Sequence, residues 1–305
     1  MYKTFLVCCG LSLSSGAFAT SVMAGEAEVI PASTFAEDTG DVLRIEAAEY
    51  LRIYSQEVAA AACFLYNDID PSLSRELLIE SRKGFDKKWN ALVSGDETLG
   101  IIGGEKRRKT IAKLENVGAV WSGMATAVDA LIADATDSNA VNVIKSTNME
   151  LFELTDILVT EVSAEYSNPS VIVQADVLKL EIVGRQAMMT QKIAKDACKI
   201  FTGNTDQVLK ENLTRSMAIY DASLDALLNG MPSLGLQPAP TPEIAASLES
   251  IKADWSGTRP ILDALVTGAT VSDDQKVYLF KHMVEEMVRL EELSHAYVDH
   301  SQHNY

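Results

Sequence analysis

Arg52, Ser55 and Gln56, in the stretch "LRIYSQ", place a guanidinium, a hydroxyl and an amide within two turns of a helix. Ala187, Thr190 and Gln191 repeat the last two groups in "GRQAMMTQKIAK", where Arg185 lies just upstream. These groups hold no nucleophile beside a base. What they can do is hold an anion, because a planar guanidinium offers fixed donors that nearby hydroxyls supplement. Two readings of Arg52 stand side by side. It grips an anion in a partly dry seam, or it reaches solvent or pairs with Glu49 or Glu57 of its own helix, the common fate of a helical arginine. Arg185 and Lys192 fall on the other side of their helix, where solvation is expected.

Other chemistry finds no carrier. The four histidines, His282, His295, His300 and His303, all lie near the C-terminus. No Ser-His-Asp or Cys-His set, no Gly-rich phosphate loop and no zinc-ligand spacing can be assembled. His300 and His303 fit a frayed polar tail better than a metal site. The chain is therefore read as no enzyme, with no cofactor and no metal. "VEEMVRLEEL" reads as a solvated helix face.

The elements that must position the candidate residues are helices. Leu178, Ile182, Met189, Ile193 and Ile200 step by fours and sevens and form one core stripe, in which the methionines need no role beyond packing. A second stripe, Ala48, Arg52, Ser55, Ala59 and Ala62, is built of small residues. It recurs as Val183, Ala187, Thr190, Ala194 and Ala197. Small residues let two helices approach closely. If these faces meet, Arg52 sits in a narrow seam opposite Ala187.

The recurrence holds over most of the chain. An offset of 135 relates Ser55-Gln56 to Thr190-Gln191, Cys63 to Cys198, Phe85-Asp86 to Tyr220-Asp221 and Leu99-Gly100 to Leu234-Gly235; an offset of 134 relates "LENVGAVWSG" to "LESIKADWSG". A register this long predicts an internal repeat. Apolar periodicity predicts helices over 41–66, 71–94, 105–133 and 138–166, then over 171–202, 205–230, 241–267 and 272–298. "NDIDPS", "SGDETLGIIGGE" and "DATDSN" break the first set. The fold class is all-α: two tandem up-down four-helix bundles related by internal duplication, one over 25–167 and one over 168–305, joined at "SNPS".

Residues 1–24 read as a signal peptide. Lys3 precedes the apolar run "FLVCCGLSLSSGAFA", which ends in small residues, with cleavage after Ala24 or, alternatively, after Ala19. That run is too short and too rich in Ser and Gly to span a membrane, and no other stretch approaches a span, so no membrane insertion of the mature chain is expected. The formal charge of −17 argues against nucleic acid and anionic lipid as partners. Beyond the leader only Cys63 and Cys198 remain. An apolar helical context favours small buried hydrophobes, while an oxidising compartment leaves pairing open.

"GRQAMMTQKIAK" resembles the "GRQRMLSQRMAK" signature of the type IV pilus methyl-accepting chemotaxis transducer N-terminal domain. "SRKGFDKKWNALVSGDETLGI" is similar to the second-helix and loop region of the same family, which is related to the periplasmic sensor domain of nitrate/nitrite histidine kinases. The resemblance implies a four-helix sensor domain in two copies. It also implies an anion-binding arginine at Arg52, matched by Ala187, with the family's Gly-Arg kept as Gly184-Arg185 and replaced by Glu49-Tyr50 in the first copy. The expected site is Arg52, Ser55, Gln56, Arg185, Ala187, Thr190 and Gln191. The expected protein is periplasmic. It binds a small solute, with an anion as the leading class, between its repeats and signals through a membrane-bound receptor, kinase or transducer. The alternative is an interaction or assembly module whose ligand site has decayed.

Overall fold

The structure, a computed structural model, describes residues 40–167 and 174–303. Among these residues are eight α-helices and no strand: α1 (Asp41–Tyr66), α2 (Pro71–Ser94), α3 (Arg108–Ala133), α4 (Ser138–Tyr166), α5 (Gln174–Phe201), α6 (Gln207–Asn229), α7 (Pro242–Thr267) and α8 (Asp273–His303). The expected signal peptide and residues 168–170 of the junction lie outside the described residues.

The starts follow from local chemistry. Asp70 accepts from Leu73 N ahead of Pro71, and Asp137 accepts from the amides of Asn139 and Ala140 at 2.9 and 3.0 Å. Thr241 accepts from Ile244 N ahead of Pro242. Each cap satisfies an amide that the first helical turn leaves without an acceptor. Helix α8 runs five residues beyond the expected end at 298, so the tail carrying His300 and His303 is helical rather than frayed.

Helices α1 to α4 pack in a ring, each against its chain neighbours and α1 against α4, and α5 to α8 do the same. The halves share local features. Trp121 Nε1 donates to Asp86, and Trp255 Nε1 donates to Asp221. The α2–α3 and α6–α7 connections both contain a short 3-10 turn, Glu97–Leu99 and Pro232–Leu234, closed by a bridge between Asp96 and Ile101 or between Met231 and Leu236. Gly100 and Gly235 end these turns at φ 68° and 71°, a left-handed conformation cheap only for glycine. An arginine bridges the same pair of aspartates in both halves but comes from different helices: Arg82 of α2 reaches Asp86 and Asp129, and Arg259 of α7 reaches Asp221 and Asp263. By length and composition α3 is the one described helix that could cross a membrane. Its Leu114, Val117, Trp121, Val128 and Leu131 are nevertheless core residues of the first ring.

The rings are not separate. Helix α1 lies along α5 and contributes Ile53, Ala60, Cys63 and Phe64 to the core of the second ring. Phe64 stacks on Phe280 of α8 at 3.9 Å between centroids. Cys63 and Cys198 form a disulfide, with Cα atoms 6.3 Å apart. This corrects the reading of both as packing thiols. They occupy equivalent positions on two helices that run parallel and meet through equivalent faces, and such residues come together at the seam. The expectation for "VEEMVRLEEL" is corrected as well: Glu286 and Met287 are buried, and Glu286 accepts from the Tyr220 hydroxyl at 2.6 Å.

Candidate functional site

The seam between α1 and α5 is dry. Ala48, Ser55, Ala187, Thr190, Ala194 and Ala197 are all buried. The approach is close at Gly184, where a Cβ would stand 3.0 Å from Glu49 Oε2, so a side chain there would make the Glu49 carboxylate shift. The Ser55 and Thr190 hydroxyls turn back onto their own helices, donating to Arg52 O at 2.7 Å and Ala187 O at 2.8 Å. Neither faces the seam as a free donor.

Arg52 is fully buried, and its terminal nitrogens are committed to carboxylates: Nη2 to Glu49 and Nη1 to Asp156 Oδ1 of α4 at 2.9 Å. The pairing with Glu49 is one of the two readings available from sequence. Asp156 was not foreseen, because nothing local links it to α1. Arg185 also reaches Asp156, at 3.8 Å, besides Glu181 at 3.3 Å. The Arg185 side chain still keeps 40% of its surface exposed, as expected, whereas Lys192 is mostly buried and donates to Asp196 and Ser216, which corrects the expectation that it is solvated. Helix α4 crosses the seam and gathers Arg52 and Arg185 around one aspartate.

The glutamines join different elements. Gln191 Nε2 donates to Met283 O of α8 and to Thr190 Oγ1, both at 3.2 Å. Gln56 Nε2 donates to Ser55 Oγ at 3.3 Å, while its Oε1 accepts from Lys195 Nζ at 2.6 Å. Lys195 also donates to Asn148 Oδ1 at 2.9 Å, and Asn148 Nδ2 donates to Ser55 O. This buried network ties α1, α4 and α5, and burial pushes the Lys195 ammonium down to about 7. Lys195 escaped the sequence reading. The signal available was its place at the 135-residue offset from Ala60, a charged residue where that position needs only a methyl group.

Toward the N-terminal ends of α1 and α5 the seam opens into a cavity of about 100 Å³, closed on its third side by α8. Its walls are Ile45, Ile53, Leu180 and Leu290, and its polar groups include Glu46, Glu49, Glu181 and Glu291. Of the seven expected site residues only Ala187 lines it. No lysine or arginine does. Burial pushes the carboxyls of Glu49 and Glu291 up to about 7, against the lowering effect of Arg52 on Glu49 and of Lys88 on Glu291. Burial likewise raises the Tyr50 phenol, and nearby glutamates add to the effect. Costly, closely set carboxylates of this kind are relieved by a positive charge or by proton uptake, and they repel an anion. Among the described residues no group of His, Cys, Asp and Glu is placed to hold a metal ion.

Residues 175–279, from the first turn of α5 into α8, match the family described as Type IV pili methyl-accepting chemotaxis transducer N-term. The matched segment contains Gly184, Arg185, Gln186 and Gln191 and the whole of α6 and α7. A search of curated proteins finds no relative.

Proposed function

With a sensory transducer N-terminal domain over residues 175–279 as the premise, we propose that the protein is a periplasmic, non-catalytic sensor. Its α1–α4 half is taken as a second copy of the same domain, so that one chain supplies the pair of first helices that such a sensor needs. A small solute is held at the α1–α5–α8 cavity, and its presence is passed by contact to a membrane-bound receptor, kinase or transducer. The observation that carries this reading is the cavity itself. It lies at the junction of both halves, has apolar walls and carries four carboxylates, with no lysine or arginine and one histidine, His295, in its lining. That chemistry favours a solute with an apolar body and a protonated amine over the anion suggested by sequence. Arg52, the anion candidate, already has carboxylate partners on both terminal nitrogens, which leaves only its buried Nε–H without an acceptor.

Calorimetric titration of the mature protein with small alkyl- and arylamines, and with nitrate for comparison, tests the reading. An amine is expected to bind, and Glu291→Gln is expected to weaken it by about tenfold, or about 1.4 kcal/mol. Binding of nitrate but of no amine would refute the charge argument. Binding of neither would leave docking to a partner as the function of the helical body.

A further inference from the structure

A second cavity, of about 150 Å³, opens at the other end of the seam, where the C-terminal turns of α1 and α5 meet the second turn of α4. Its charge is opposite. The lining includes Lys145 of α4 and Lys199 of α5, with Tyr66, Asn67, Asn148 and Thr202, and no carboxylate. In a chain with 43 acidic and 26 basic residues, two lysines facing one cavity without an acid among its walls is an unusual local balance. Among the described residues neither ammonium has an ion-pair or side-chain hydrogen-bond partner, whereas the adjacent Lys192 and Lys195 both do. The two also repel each other: burial lowers Lys199 foremost, and Lys145 and Lys192 add to the effect against Asp196.

A structural account covers only part of this. Lys199 lies in the last turn of α5, where a cation complements the helix dipole. Lys145 lies in the second turn of α4 and gains nothing from its dipole. We propose that this cavity is a binding site for a small oxyanion, of the phosphate or carboxylate class, held between the Lys145 and Lys199 ammonium groups. Two of the neighbouring polar side chains are already engaged elsewhere. Asn148 Oδ1 accepts from Lys195, and the Thr202 hydroxyl donates to Cys198 O. The walls are fixed before any ligand arrives, because the Cys63–Cys198 disulfide joins α1 to α5 and Asn148 joins α4 to Ser55 of α1. Such preorganisation removes part of the ordering cost of binding. An anion here bridges the last helix of the first ring to the first helix of the second. The site is independent of the amine cavity, and neither proposal falls with the other.

The test is the melting temperature of the full chain titrated with inorganic phosphate, and in parallel with acetate, at constant ionic strength against chloride. A saturable rise with at least one of them is expected. The half-saturating concentration should increase about tenfold in Lys145→Gln and in Lys199→Gln, about 1.4 kcal/mol, and stay unchanged in Lys83→Gln, a well-exposed lysine on α2. The preferred anion distinguishes a phosphate source from a carboxylate source. A variant-free arm guards against altered folding: the saturating anion should protect Lys145 and Lys199 of the unmodified protein from acetylation, read by peptide mass spectrometry. A rise that does not saturate, or that is equal in all variants, with no protection of these lysines, would overturn the proposal.

Discussion

Replacing both cysteines by alanine removes a cross-link between residues separated by 135 positions. The loop-closure entropy lost from the unfolded chain by such a cross-link is about 17 cal/mol/K, or about 5 kcal/mol at 25 °C, and measured disulfides typically contribute about 2–4 kcal/mol. The folded state should tolerate the change. Cys198 is fully buried among Ala194, Ala197 and other apolar groups of the second core, and alanine deletes only a sulfur atom at each site. The expected result is a cooperative urea transition whose midpoint falls by an amount worth about 2–5 kcal/mol, with an unchanged far-ultraviolet spectrum. The denaturant slope should increase, because an uncross-linked denatured chain exposes more surface. Equal midpoints for the oxidised protein and the variant, with two thiols titratable in the denatured unreduced wild type, would refute the reasoning by showing that the covalent link does not form.

Arg52→Ala leaves buried Glu49 without its cation. The expected loss is about 3 kcal/mol at pH 7.5, near the lower end for a broken buried pair because Asp156 is partly exposed. The loss should shrink at pH 5, where Glu49 is protonated; an equal loss at both pH values in chemical denaturation would contradict this assignment. Glu49, Glu286 and Glu291 are raised to about 7 and Glu57 to about 8, all mainly by burial. The folded chain therefore keeps protons that the unfolded chain releases near 4.5, and stability should fall as pH rises from about 5 to about 7. Lys195 acts in the opposite sense above about 7, where the unfolded chain holds the extra proton, so the decline should flatten there. Melting temperatures across this range check the sign. Gln186 is fully buried with neither amide atom hydrogen-bonded among the described residues, and Leu51 holds the matching place in the first core. Gln186→Leu should therefore raise stability by about 1–3 kcal/mol, measured by urea unfolding.

The helices were legible because their punctuation is local. Asp70-Pro71, Asp137 and Thr241-Pro242 mark starts through groups only a few residues apart, and apolar period fixes the faces. Helix α3 begins at Arg108 rather than 105, since the preceding residues make the loop that receives Arg44 on its carbonyls. The disulfide was within reach. A face-to-face seam of α1 and α5, together with matched cysteines, implies that the two sulfurs meet; the alanines around each made an inert thiol look sufficient. The partners of Arg52 and Lys195 were less accessible. Asp156 and Asn148 lie on α4, about a hundred positions from Arg52, and their approach depends on how α4 crosses the seam. The acidic cavity was missed for a related reason: Glu46, Glu49, Glu181 and Glu291 come from three helices, and each by itself resembles an ordinary solvated carboxylate.

The bond between Cys63 and Cys198 acts on the α1–α5 pair as a fulcrum. It joins the two rods near one end, so lengthwise sliding of one against the other is blocked there, and relative motion is left to the opening angle. From Cys63 to Ile45, in the wall of the acidic cavity, the lever arm is about 27 Å at 1.5 Å per residue. A splay of about 2° then widens the cavity end by about 1 Å, while the basic cavity beside the fulcrum scarcely changes. Occupancy at the far end would thus be converted into an angle between the two halves, and a partner gripping both halves would feel a twist rather than a push.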